Sequence, residues 1–176
     1  LILNTPPEIT GVTLTPTTLT TNDSAVADAT VSDADGDDMT LNYAFSVNGI
    51  VVQEGPGDTL DGTVHFDKGD AVFVTVTATD DTGSDTMISD TVDVSNALPT
   101  APGVVIGPTD PAVDDDIVCS ITSPSSDDDG DPITYTLSWT VDGEAFTGAT
   151  TTTTDDDTVP ASSIAAWDVW TCIATP

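Results

Sequence analysis

Two stretches of this chain are written on the same pattern. Met39-Thr40-Leu41-Asn42-Tyr43-Ala44-Phe45-Ser46-Val47 and Ile133-Thr134-Tyr135-Thr136-Leu137-Ser138-Trp139-Thr140-Val141 carry an apolar residue at every odd position and, Ala44 apart, Thr, Ser or Asn at the even ones. A two-residue period is the mark of a β-strand with one face in a core. Each stretch follows a loop of carboxylates set around a glycine, Ser32-Asp33-Ala34-Asp35-Gly36-Asp37-Asp38 in the first case and Asp127-Asp128-Asp129-Gly130-Asp131 in the second. The spacing between matching positions is nearly constant. Asn4 and Asn96, Pro16 and Pro108, and Ala27 and Cys119 are 92 positions apart; Gly36 and Gly130, Phe45 and Trp139, and Gly49 and Gly143 are 94 apart; Val74 and Cys172 are 98 apart. The offset grows only in loops, where insertions are tolerated, so the chain reads as tandem copies of one domain.

The expected boundaries put the first copy at 4–95 and the second at 96–176. Leu1-Ile2-Leu3 stands before Asn4 as Asp93-Val94-Ser95 stands before Asn96, so 1–3 read as the end of a closing strand from a preceding copy, or as a donor strand. In the first copy, strands are expected at Ile9-Leu14, Ser24-Val31, Met39-Val47, Ile50-Gln53, Thr63-Phe66, Ala71-Thr79 and Thr86-Val94. Asn48-Gly49, matched by Asp142-Gly143, marks a tight hairpin after the third of them. No stretch has a helical period. Copies of about 90 residues with about seven short strands suggest an antiparallel sandwich. The fold class is therefore all-β: two tandem Ig-like β-sandwiches, the second lacking its last strand within this chain. A strand from a longer polypeptide or from a neighbouring subunit would fill the slot this leaves.

Composition narrows the partners. The chain has 31 Asp and Glu against one Lys and no Arg, for a formal charge of -30. That excludes nucleic acid and disfavours an anionic membrane surface. Small cations or a salty medium are the expected company. The acid is nearly all Asp, the glutamates being Glu8, Glu54 and Glu144, and it clusters in loops while outward strand positions are mostly Thr. Asp is both a turn former and a short-armed oxygen ligand, so loop and metal duty and a salt-adapted surface both stay open. No apolar run approaches the roughly 20 residues that a membrane-spanning helix needs.

Cys119, Trp139 and Cys172 have the order and spacing of an immunoglobulin-type core, and the cysteines match inward positions, Ala27 and Val74, of the first copy. A Cys119–Cys172 disulfide is expected, with two buried thiols as the plainer alternative. A bridge argues for an oxidising, extracellular or cell-surface location.

The order Asn-Xaa-Xaa-Pro, acidic loop, strand ending Val-Asn-Gly or Val-Asp-Gly resembles bacterial and archaeal tandem repeats of the cadherin-like and PKD-like kind, found in large extracellular surface proteins. The resemblance implies calcium held between successive domains by a linker residue and acidic loops. Its ligands at the junction would be Asn96, Asp127, Asp129 and Asp131, joined by Asp67 and Asp70; the upstream set would be Asn4, Asp33, Asp35, Asp37 and Asp80. The linker Asn96-Ala97-Leu98-Pro99 is poorer in acid than that of cadherins, and the loop is no EF-hand, for its glycine comes too early. The function implied is a calcium-stiffened stalk, filament or adhesin that partners neighbouring copies of the same repeat or subunit, with no catalytic role, no membrane insertion and no nucleic acid. The alternative is an accessory carbohydrate- or partner-binding module of a secreted hydrolase, for which Trp167 is the candidate platform. His65, with Asp67 two residues on, has no nucleophile or second ligand and reads as a surface residue. Asn22-Asp23-Ser24 is a glycosylation sequon in a turn. The run Thr150-Thr154 with Asp155-Asp157 reads as a solvated loop.

Overall fold

The computed structural model describes residues 4–151 and 155–176. The strand expected from Leu1-Ile2-Leu3 and the middle of the threonine run lie outside them. The chain divides into two units that meet between Ala97 and Leu98.

Unit 1 contains β1 (Glu8–Thr15), β2 (Leu19–Thr20), β3 (Ser24–Ser32), β4 (Thr40–Val47), β5 (Ile50–Gly55), β6 (Thr59–Asp61), β7 (Ala71–Thr79), β8 (Ser84–Ile88) and β9 (Val92–Ser95). One sheet runs β1-β3-β6 and the other β2-β9-β7-β4-β5, with β8 also paired to β7. All pairs but β2–β9 are antiparallel. This is the immunoglobulin division of strands between two sheets. The alternation in the sequence sets the faces: Val72, Val74, Val76 and Ala78 of β7 are fully buried, opposite Tyr43, Phe45 and Val47 of β4. Ile9, Val12 and Leu14 of β1 and Ala25, Ala27 and Leu60 of the other sheet complete that core.

Unit 2 contains β10 (Gly103–Gly107), β11 (Ile117–Ser123), β12 (Thr136–Val141), β13 (Glu144–Phe146), β14 (Thr150–Thr151), β15 (Asp156–Val159) and β16 (Trp170–Thr175). Its sheets run β10-β11-β15-β14 and β13-β12-β16, antiparallel throughout. The strand register of unit 2 matches that of unit 1. β16 pairs with β12 as β7 pairs with β4, Trp139 lying opposite Cys172 as Phe45 lies opposite Val74. Both hairpins use left-handed residue pairs, Asn48 with Gly49 and Asp142 with Gly143, as two-residue loops require.

The structure corrects four expectations. Thr63-Phe66 is not a strand: Gly62–His65 form one helical turn, capped by the Asp61 carboxylate on the Thr63 N–H, and His65 lies in it. Four residues that alternate loosely fit either period, and Asp followed by Gly and Thr favours the cap. The strand expected over Thr86-Val94 is two strands, β8 and β9. The strand expected from Ile133 begins at Thr136. The threonine–aspartate run is not a plain solvated loop among its described residues: Thr150 and Thr151 pair with β15, and Asp157 on β15 is buried.

Cys119 and Cys172 form a disulfide across the core, with Cα atoms 6.2 Å apart. Around it, Trp139, Ile117 and Val159 are buried, and Trp170 stands edge-on to both Trp139 and Phe146.

Candidate functional site: the acidic loops

In unit 2, the acidic loop joins β11 to β12. Asp127 is its pivot: Oδ1 accepts the backbone N–H of Asp129 at 2.9 Å and of Asp131 at 3.2 Å, which curls the loop around that carboxylate. Gly130, at φ 71°, supplies the left-handed residue the curl needs. As a result Asp127, Asp129 and Asp131 each bring a carboxylate oxygen within 4.8 Å of the others. Calcium–oxygen bonds run about 2.3–2.6 Å, so two ligands on one ion stand at most about 5 Å apart. The trio fits that limit. Without a counter-ion, three carboxylates at this range repel by roughly 1 to 4 kcal/mol per pair.

The matching loop of unit 1 is tied differently. Asp33 Oδ1 accepts three backbone N–H groups, from Asp35 at 2.8 Å, Gly36 at 2.8 Å and Asp37 at 3.2 Å. Asp35 turns its Oδ2 to the N–H and hydroxyl of Thr5, both at 2.7 Å. Among the described residues Asp33, Asp35 and Asp37 do not converge as their counterparts do, yet Asp33 Oδ2 is buried without a hydrogen-bond partner. An orphaned carboxylate oxygen is what a cation or a water would satisfy.

Of the other expected ligands, Asn4, Asp70, Asp80 and Asn96 have side-chain partners within the protein. Asp80 closes a tight turn, accepting from the N–H groups of Thr82 and Gly83 and from the Thr82 hydroxyl. Burial pushes its carboxyl up, but these hydrogen bonds outweigh burial and hold it below its ordinary value. Asn4 reaches the same Thr82 hydroxyl at 3.4 Å, so Asn4 and Asp80 lie at one corner. At the opposite end of unit 1, Asp70 accepts from Asp67 N–H with Oδ2 and from the Asn48 amide with Oδ1. The Oδ1 of Asn96 accepts from the Lys68 ammonium at 2.9 Å. A cation at Asn96 would compete with the one lysine in the chain.

Sequence reasoning missed Asp157. It is 6% exposed and accepts from the Trp139 indole N–H at 3.1 Å. Its parity was readable, for it sits two residues before the buried Val159 and so shares its face. It also missed the Tyr135 hydroxyl, which accepts the Ser125 N–H at 2.7 Å and anchors the start of the acidic loop.

No helix among the described residues is long and apolar enough to cross a membrane. No protein-family description matches the chain, and no curated protein sequence does. Solved structures with a similar arrangement include murine CEACAM1b (TM-score 0.35, 14% identity, covering 96% of this chain and 92% of that one). A chimeric titin Z1Z2 functionalized with a KLER peptide from decorin has a TM-score of 0.38 and 13% identity, covering 99% and 92%. The titin domains Z1Z2 in complex with telethonin have a TM-score of 0.40 and 13% identity, covering 89% and 81%. These scores are low, and the sandwich assignment stands on the strand pairing of this chain.

Proposed function

We propose that this chain is a structural repeat segment of an extracellular stalk, filament or adhesin, of the cadherin-like or PKD-like kind, stiffened by calcium at its acidic loops. The convergence of Asp127, Asp129 and Asp131 carries this reading. In it, those three carboxylates hold the ion, and the ion removes their mutual repulsion and adds to the hold that Asp127 has on the loop. The upstream loop, with Asp33, Asp35 and Asp37, takes a second and weaker ion. The core disulfide suits an oxidising compartment. Neighbouring copies of the repeat are the natural partners: β7 pairs on its far side with β8 and β9, whereas β16 has no such neighbour among the described residues and offers that edge to a strand of the β9 pattern.

Calorimetric titration of calcium, with small-angle scattering in calcium and in EDTA, tests the reading. For an extracellular module of millimolar to submillimolar affinity, 10 mM calcium stabilises unit 2 by about 1.4–2.7 kcal/mol. Asp129→Asn lowers the affinity, and chelation broadens the scattering envelope. No heat of binding at 10 mM calcium, or an envelope indifferent to EDTA, rules the calcium role out.

A further inference from the structure

The turn at Asp67–Asp70 of unit 1 recurs at Ala165–Asp168 of unit 2 with the same internal hydrogen bonds. Asp70 N–H donates to Asp67 O, and Asp168 N–H to Ala165 O. Asp67 N–H donates to the Asp70 carboxylate, and Ala165 N–H to the Asp168 carboxylate. Each turn is then pinned to its hairpin: Asn48 N–H to Ala71 O with Ala71 N–H back to Asn48 Oδ1, and Asp142 N–H to Val169 O with Val169 N–H back to Asp142 Oδ1. The third residue of both turns is left-handed. In unit 1 it is Gly69, at φ 90°; in unit 2 it is Trp167, at φ 80°.

Glycine enters that region freely and a bulky residue does not. Trp167 is also 95% exposed, so no packing offsets the strain. A large ring held outward in a disfavoured conformation, where the sister turn uses glycine, is the kind of local conflict that marks a functional position. We propose that Trp167 is the stacking platform of a glycan-binding site whose ligand is a polysaccharide of uncharged or amine-bearing pyranoses.

The size of the patch and its charge select this ligand. A tryptophan offers about 150–250 Å² of surface, against about 800 Å² per partner in a stable protein interface. At the same end of unit 2 the large exposed apolar residues near it in the chain, or in the β10–β11 loop that Asp116 ties to Ala161, are few: Val169 and Val113. One ring face suits one pyranose. The rest of that loop supplies exposed carboxylates at Asp110, Asp114 and Asp115, acceptors for sugar hydroxyls or ammonium groups. Unit 2 contains no Lys, Arg or His, so uronates and sulfated or phosphorylated glycans are repelled. This role adds to the structural one and is independent of calcium.

Affinity electrophoresis of the whole chain, with EDTA present, through native gels containing a neutral β-glucan, partly deacetylated chitin or alginate tests the site. The expected result is retardation in the first or second gel and none in alginate. Trp167→Gly suits the turn and keeps the fold, checked by its melting temperature, while weakening retention at least tenfold. Unchanged retention of Trp167→Gly, retention in alginate, or no retention in either of the first two gels overturns the proposal.

Discussion

The two units solve one packing problem with different materials. Unit 1 fills its sandwich with aliphatic residues from both sheets, and Ala27 simply packs with Val74 and its neighbours in that core. Unit 2 buries fewer such side chains among its described residues, and at the matching positions it places a disulfide, beside an edge-on group of Trp139, Trp170 and Phe146. Where unit 1 has Phe45, fully buried and wholly apolar, unit 2 has Trp139, whose indole N–H brings the Asp157 carboxylate inside. The equivalent of Asp157 in unit 1, Asp58, stays exposed. The strand plan thus tolerates either a large aliphatic core or a small one reinforced by a covalent bridge and a buried polar pair. Small cores need such reinforcement because their burial only narrowly offsets chain entropy.

The largest effect expected from this contrast is that of the bridge. Closing a 53-residue loop is worth about 4 kcal/mol in the chain-entropy account. Reduction, or Cys119→Ala with Cys172→Ala, should therefore unfold unit 2 while leaving unit 1 in place. Hydrogen exchange read peptide by peptide shows this as lost protection in 98–176 alone; equal loss in both units would break the contrast. Next comes Trp139→Phe, which gives unit 2 the residue of unit 1 but takes the indole donor from Asp157 Oδ2, leaving the carboxylate, among the described residues, only the Thr158 N–H on Oδ1. It should cost about 1–3 kcal/mol, and adding Asp157→Asn should return part of it in denaturant titrations. A Trp139→Phe variant as stable as the parent would mean that the buried pair contributes nothing. The smallest effect is a pair of opposite signs at the sister turns: Gly69→Ala lowers the stability of unit 1 by about 1 kcal/mol, and Trp167→Gly leaves unit 2 unchanged or up to about 1 kcal/mol firmer. Melting curves that move both variants the same way would show that the turns are not equivalent.

Much of this was legible in the sequence because strands betray themselves by parity. The alternation in Met39-Val47 and Ile133-Val141 marks the buried faces of those strands, and the match of Cys119 with Ala27 and Cys172 with Val74 places both cysteines in the core and leads to the expected bridge. The acidic loops were equally plain, but not their difference. Whether three carboxylates converge depends on where each one bonds, and Asp35 turning to Thr5 is a long-range choice that no local pattern announces. Gly62–His65 misled because a single turn is too short to show a period, and Asp157 because a charged residue next to other acids suggests solvent. The Gly69–Trp167 equivalence was within reach: the same offset of 98 that links Val74 to Cys172 links these two.

The turn at Asp67–Asp70 also decides how the chain meets digestive enzymes. A peptidase that cuts after basic residues finds one bond in the 176 residues, Lys68–Gly69. To be cut, that bond must lie extended in the enzyme's cleft. Here the Lys68 N–H is held by the Thr21 hydroxyl and the Gly69 N–H by Val94 O, each at 2.9 Å. Trypsin-like enzymes should leave the folded chain whole, and cleavage at this bond should report the opening of unit 1 rather than of its disulfide-bridged neighbour.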